Sequence, residues 1–122
     1  MNLQAAWKQP RVTGDGPSGR WKHSCVTLPS RDGKVLLYGG CDSSSRFGDV
    51  WYLDLGSEPY KWRLMDVKDD EASVPCPRAE HTATLVEGRY MYVIGGYGGR
   101  MRNKSYRNDV FVLDVEAGLF AL

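Results

Sequence analysis

The chain has 122 residues, 42% hydrophobic and 25% charged, the make-up of a folding sequence about one small domain long. Its 16 lysines and arginines nearly cancel its 15 aspartates and glutamates, which excludes a global attraction to nucleic acid or to an anionic membrane. No apolar run approaches the roughly 20 residues that cross a bilayer, and Met1 to Pro10 lacks the basic flank and apolar stretch of a secretion signal, so a cytoplasmic location is expected.

In chain order, a first strand-like stretch near 4–8 holds Trp7, and Gly14-Asp15-Gly16-Pro17 breaks it. Pro17-Ser18-Gly19-Arg20-Trp21-Lys22-His23-Ser24 then leads into strands predicted near 23–29, 34–39, 49–54 and 60–65. An acidic segment follows from Asp66 to Cys76, and strands are predicted again near 81–86, 90–95 and 109–114. Arg31-Asp32-Gly33 and Glu87-Gly88-Arg89 are the expected hairpin turns, because glycine supplies the positive φ that tight hairpins need. No stretch has sustained helical periodicity, so the fold class is all-β. Beyond Asp114 no tryptophan stands where Trp62 would predict one. The second unit is therefore expected to lack a regular fourth strand.

The chain repeats itself with a period near 58 residues. Gly39-Gly40 closes the apolar run Val35 to Tyr38, and Gly95-Gly96 closes Met91 to Ile94, 56 residues later. Asp49 to Asp54, with Trp51, matches Asp109 to Asp114 at a spacing of 60, and Arg20 and His23 match Arg78 and His81. A four-stranded unit of this length with a double glycine after its second strand resembles the kelch repeat, whose blades stack into a propeller. The resemblance implies two four-stranded antiparallel meander blades in an incomplete ring. Residues 10–65 and 66–122 would be the two repeats, the last strand incomplete or atypical, and residues 1–9 a fourth strand of a preceding or closing blade. It also implies that Trp62 and Trp7 hold the fourth-strand position and pack between blades. The long period and the Gly14 to Pro17 lead-in look more like free-standing intracellular kelch proteins than like kelch adaptors of ubiquitin ligases.

Catalytic signals are weak. His23 and His81 share one repeat position, which marks a structural residue making a polar contact within its blade. Gly95-Gly96-Tyr97-Gly98-Gly99 has neither the helix start nor the Gly-Lys-Ser/Thr of a phosphate cradle. Cys25, Cys41 and Cys76 lack metal-ligand spacing and are read as reduced thiols, and neither metal nor cofactor is expected. Asn103-Lys104-Ser105 matches a glycosylation sequon, a three-residue pattern that arises often by chance.

What remains is surface. Successive turns of a meander alternate between its two ends, so the loops after second strands share a face with the connection between units. Candidate partner-binding residues are Ser43, Ser44, Ser45 and Arg46, then Asp69, Asp70 and Glu71, then Tyr97, Arg100, Met101, Arg102, Lys104, Tyr106 and Arg107. The last group interleaves cations with aromatics and holds no acid, which points to an acidic protein partner. One short basic loop is too little for RNA. A protein-interaction module is the expected function, with further kelch blades or self-association completing the ring. A fragment of a propeller enzyme and a ubiquitin-ligase substrate receptor are the alternatives.

Overall fold

A computed structural model describes residues 4–29, 33–67, 73–100 and 102–121. Two sheets make up the molecule. The first is an antiparallel meander of β2 (Ser24–Leu28), β3 (Lys34–Tyr38), β4 (Val50–Asp54) and β5 (Tyr60–Leu64), with β1 (Val12–Thr13) running parallel to β5. The second is an antiparallel meander of β7 (Thr82–Val86), β8 (Tyr90–Gly98), β9 (Ser105–Asp114) and β10 (Leu119–Ala121), with β6 (Arg78–Ala79) paired to the far end of β8. The chain is thus all-β and open, its two meanders not closing on each other.

Register explains the core. Leu36 stands opposite Val26 and Tyr52, and Val93 opposite Ala83 and Phe111; period-2 alternation therefore collects apolar side chains on the face where the sheets meet. Leu36, Tyr38 and Val50 pack there against Met91, Val93 and Leu113, and none of the six is more than 1% exposed. Burying each contributes about 1.5–3 kcal/mol. At the β7–β8 turn Glu87 and Gly88 have φ of 56° and 64°, the paired positive values of a hairpin whose twist matches its strands.

The structure adds to the sequence reading and in places departs from it. Residues 4–10 form no strand within this chain, and Trp7 is fully exposed. Trp62 does lie on β5, but Gly16 of the lead-in approaches its indole, where a Cβ would come within 2.7 Å of the ring. The second meander is completed by a short strand of three residues, where Leu119–Ala121 turns back at Gly118 (φ 68°) and pairs with Val112–Asp114. The stretch from Tyr97 to Arg107 is a continuation of β8 and β9 past a bulge between Ile94 and Gly96, which leaves a turn only between Gly98 and Ser105.

A further departure concerns the histidines. His81 is buried, yet its contact runs to the other unit: its Nε2 lies 2.8 Å from Ser24 Oγ, and its ring stands edge-on to Tyr38 with centroids 4.9 Å apart. His23, at the same repeat position, is exposed. Burial, with the Arg78 charge nearby, lowers the His81 pKa from 6.5 to about 4. A histidine depressed in the folded state binds its proton first in the unfolded chain, so its contribution is intact above pH 6.5 and is lost as pH falls toward 4. Stability is expected to drop by about 2 kcal/mol between pH 7 and pH 5 from this group. Urea titrations of wild type and His81→Asn check this: the variant loses most of that pH slope, and an unchanged slope would contradict the burial argument.

Candidate protein-interaction site

The scaffold for the site is one polar cluster built twice. Arg20 donates through Nη1 and Nη2 to the Asp49 carboxylate at 2.6 and 3.2 Å, and through Nη1 to the Gly39 carbonyl at 3.2 Å. Arg78 does the same to Asp109 at 2.5 and 3.1 Å and to the Gly95 carbonyl at 2.9 Å. Each arginine thereby ties the lead-in of its unit to the end of the second strand and the start of the third. The Arg78 guanidinium holds the Asp109 carboxyl below the usual carboxylate range; at Asp49 burial works the other way, but the bonds from Arg20 and the Trp51 indole prevail. Asp54 and Asp114 do a separate job at the ends of the third strands. Asp54 accepts the Gly56 amide, and Asp114 pairs with Arg89 and accepts the amides of Glu116 and Ala117.

These clusters set the glycine pairs. Gly39 and Gly40 have φ of 68° and 99°, and Gly95 and Gly96 have 66° and 102°, a left-handed pair that disfavours side chains. The chain leaves the second strand there and enters the loops.

Two loops meet as a result. In the first, Asp42 accepts the amides of Ser44 and Ser45 at 2.9 and 2.7 Å, and Cys41 bridges to both Trp21 and Arg46. In the second, Tyr97 and Tyr106 stand opposite each other on the extended hairpin, ring centroids 4.9 Å apart. The Arg46 guanidinium lies over the Tyr97 ring at 4.5 Å, joining loop to hairpin. Between them opens a groove of about 550 Å³ lined by Ser44, Ser45, Arg46, Pro77, Gly99, Arg100 and Lys104. Three cations and no acid line it among the described residues. Asp42, the nearest carboxylate in sequence, is engaged in its own turn.

Of the residues singled out in the sequence, the structure brings Ser44, Ser45, Arg46, Arg100 and Lys104 together. Ser43, Arg102 and Tyr106 are exposed without lining the groove, and Arg107 turns back toward the hairpin, donating to the Asn103 carbonyl at 3.4 Å. Asp69, Asp70, Glu71 and Met101 lie outside the described residues. Pro77 was missed, and apart from its place just after the Asp66-to-Cys76 segment nothing in the sequence marks it; Gly99 lies within the chosen Tyr97-to-Arg107 segment but was not singled out. A second cavity, of about 400 Å³ beside the β4–β5 turn, is lined by Asp54 as well as Lys61 and Arg63, so an acid offsets part of its positive charge. Cys25, Cys41 and Cys76 are unpaired thiols, and no cluster of metal-ligating residues occurs among the described residues. No helix there is long and apolar enough to cross a membrane.

Similar proteins agree with this architecture. The chain is 31% identical over 115 residues to the flagellar outer arm dynein alpha chain of Chlamydomonas reinhardtii, 90% of this chain and 2% of that protein. It is 33% identical over 117 residues to the Rab9 effector protein with kelch motifs of Gallus gallus, 92% of this chain and 28% of that one. To host cell factor 1 of Rattus norvegicus it is 36% identical over 95 residues, covering 75% and 4%. It therefore spans a minor part of each of these relatives. A family model described as the KLHDC2/KLHL20/DRC7 Kelch-repeats domain matches residues 2–120. Because that match runs through both meanders and their doubled Arg–Asp clusters, the chain belongs to the kelch-repeat family.

Proposed function

We propose that this chain is the interaction face of a scaffold or adaptor, two blades of a kelch propeller that hold an acidic protein segment in the groove between Ser44–Arg46 and Gly99–Lys104. Kelch domains are typically non-catalytic protein-interaction modules, and the groove has a composition suited to that work. The observation that carries the reading is the convergence of Arg46, Arg100 and Lys104, from two different repeats, on one groove with no acid among its lining residues. Arg46 is held over an aromatic ring, so little of its freedom remains to be lost when a ligand binds. Ser44 and Ser45 add hydroxyls.

Each exposed charge contact is worth roughly 0.2–1 kcal/mol. Changing Arg46, Arg100 and Lys104 together to serine is expected to weaken binding of an Asp/Glu-rich octapeptide by roughly 3- to 100-fold and to flatten its salt dependence. Changing Arg11, Lys61 and Arg63, cations away from the groove, leaves both unaltered. Fluorescence titration at two ionic strengths reads this out. Equal losses in the two triple variants would show that the peptide senses overall charge only.

A further inference from the structure

The hairpin of the second unit overruns that of the first. β3 and β4 stop at the pair Tyr38 with Val50, whose counterparts are Ile94 and Val110. β8 and β9 instead go on, pairing Gly96 with Arg107, Tyr97 with Tyr106 and Gly98 with Ser105. The returning limb of this overhang is open to solvent, since every residue from Arg102 to Tyr106 is exposed. A turn held by the Asn103 amide on the Arg100 carbonyl, at 3.0 Å, joins the two limbs.

The charges around Ser105 have an order that the groove does not use. Arg100 stands five residues before it and Arg102 three, Lys104 adjoins it, and no acid occurs between Tyr97 and Asn108. Protein kinases choose substrates in part by such charge patterns. A guanidinium can give a carboxylate of the kinase cleft two parallel N–H···O bonds, which a lysine cannot. The sequon Asn103-Lys104-Ser105 shares the same serine but gives the two arginines no part. Access is available as well. Presenting this segment extended parts the Asn103–Arg100 turn and the terminal Gly98–Ser105 pair, where the returning limb buries no side chain, and such poorly buried ends open at small cost.

We propose that Ser105 is a phosphoacceptor for an arginine-directed serine kinase and that its phosphate closes the basic groove to acidic segments; the second half rests on the reading of the groove as an acidic-segment site. Ser105 Oγ bonds to the γ-phosphorus of ATP as the bond from that phosphorus to the β–γ bridging oxygen breaks. ADP leaves, and the hydroxyl proton passes to the catalytic aspartate of the kinase. The phosphate carries about −1.5 to −2 at pH 7. Ser105 is bonded to Lys104 and stands opposite Gly98, the neighbour of Gly99, so its backbone is closer to both of these lining residues than the Debye length of about 8 Å. Against the groove's three cations, Arg46, Arg100 and Lys104, the phosphate leaves a net charge of only about +1 to +1.5.

The test incubates the folded chain with magnesium, ATP and the catalytic domain of a kinase that selects arginine three and five residues ahead of serine, and maps the product by mass spectrometry. One phosphoryl group is expected, on Ser105, at a rate within about tenfold of that for a free peptide spanning Gly98 to Asn108. Arg102→Ala is expected to lower kcat/KM by roughly 10- to 100-fold, through loss of a charge-assisted pair. Asn103→Gln, which destroys the sequon and keeps the arginines, is expected to be phosphorylated as wild type. Modification at another residue, none on the folded chain while the peptide is modified, or an Arg102→Ala rate equal to wild type would overturn the acceptor assignment. In fluorescence titration at low salt, the phosphorylated chain is expected to bind octaglutamate several-fold more weakly than the unmodified chain, and Ser105→Ala as well as the unmodified chain. Equal binding before and after phosphorylation would overturn the closing of the groove. Failure of the unmodified chain to bind octaglutamate would refute the reading of the groove, and its closing with it, while the acceptor assignment is decided by the mass and rate measurements alone.

Discussion

Replacing Arg78 by methionine is expected to cost about 2–4 kcal/mol of stability, less than the about 3–5 kcal/mol of breaking a wholly buried ion pair, because the Asp109 side chain left behind is 35% exposed. Arg78 has no exposed surface and is the largest fully buried side chain among the described residues. Its guanidinium carries two bonds to Asp109, one to the Gly95 carbonyl at 2.9 Å and one to the Cys76 carbonyl at 3.2 Å. Methionine fills much of the space but leaves the carboxylate and both carbonyls without these donors. Changing Asp109 to leucine in the same chain removes the stranded charge and is expected to recover a good part of the loss. Urea unfolding of wild type, single and double variants separates the terms. A single variant within 1 kcal/mol of wild type, on the order of a surface ion pair, would show that the cluster does not hold the second unit together.

The second large effect is expected from Gly39→Ala, at about 3–4 kcal/mol. A left-handed backbone costs an L-residue about 1–2 kcal/mol, and overpacking adds about 1–3 kcal/mol. The new methyl would lie 2.8 Å from both the Arg78 carbonyl oxygen and His81 Cε1. Neither can retreat easily, since the Arg78 carbonyl accepts the Gly40 amide and His81 is buried. Gly95→Ala is the internal control. It has nearly the same φ but meets only Arg107 atoms, the nearest at 3.0 Å, so in dilute solution about half the loss is expected, mostly from the backbone. Equal losses at the two sites would mean that the sheet-to-sheet contact at Gly39 contributes nothing.

Seven strands were legible in the sequence to within a few residues, except where β8 and β9 run on, because alternation and turn chemistry act locally. Leu36, Tyr38, Met91 and Val93 needed only their neighbours to be placed on strands. The extension of β8 and β9 was hidden, since Gly95-Gly96-Tyr97-Gly98-Gly99 reads as turn and the pairing of Tyr97 with Tyr106 requires the hairpin to be formed first. β10 was hidden for a similar reason: its only sequence marker would have been a tryptophan, and backbone pairing with Val112–Asp114 stands in for it. Arg20 and Asp49 were visible as repeat positions but not as partners, being 29 residues apart. His81 was assigned a contact inside its own unit because the partner hydroxyl, Ser24, belongs to the other repeat. Of the candidate site, the two loops were legible from composition, whereas their convergence on one groove follows from stacking the sheets.

The groove is tested most directly by nuclear magnetic resonance, following the backbone amides of 15N-labelled chain as octaglutamate is added at low salt. The account predicts shifts concentrated at Ser44, Ser45, Arg46, Gly99, Arg100 and Lys104, absent when Arg46, Arg100 and Lys104 are serine. Shifts spread evenly over Arg11, Lys61, Arg63 and the other cations, or none at all, would contradict it.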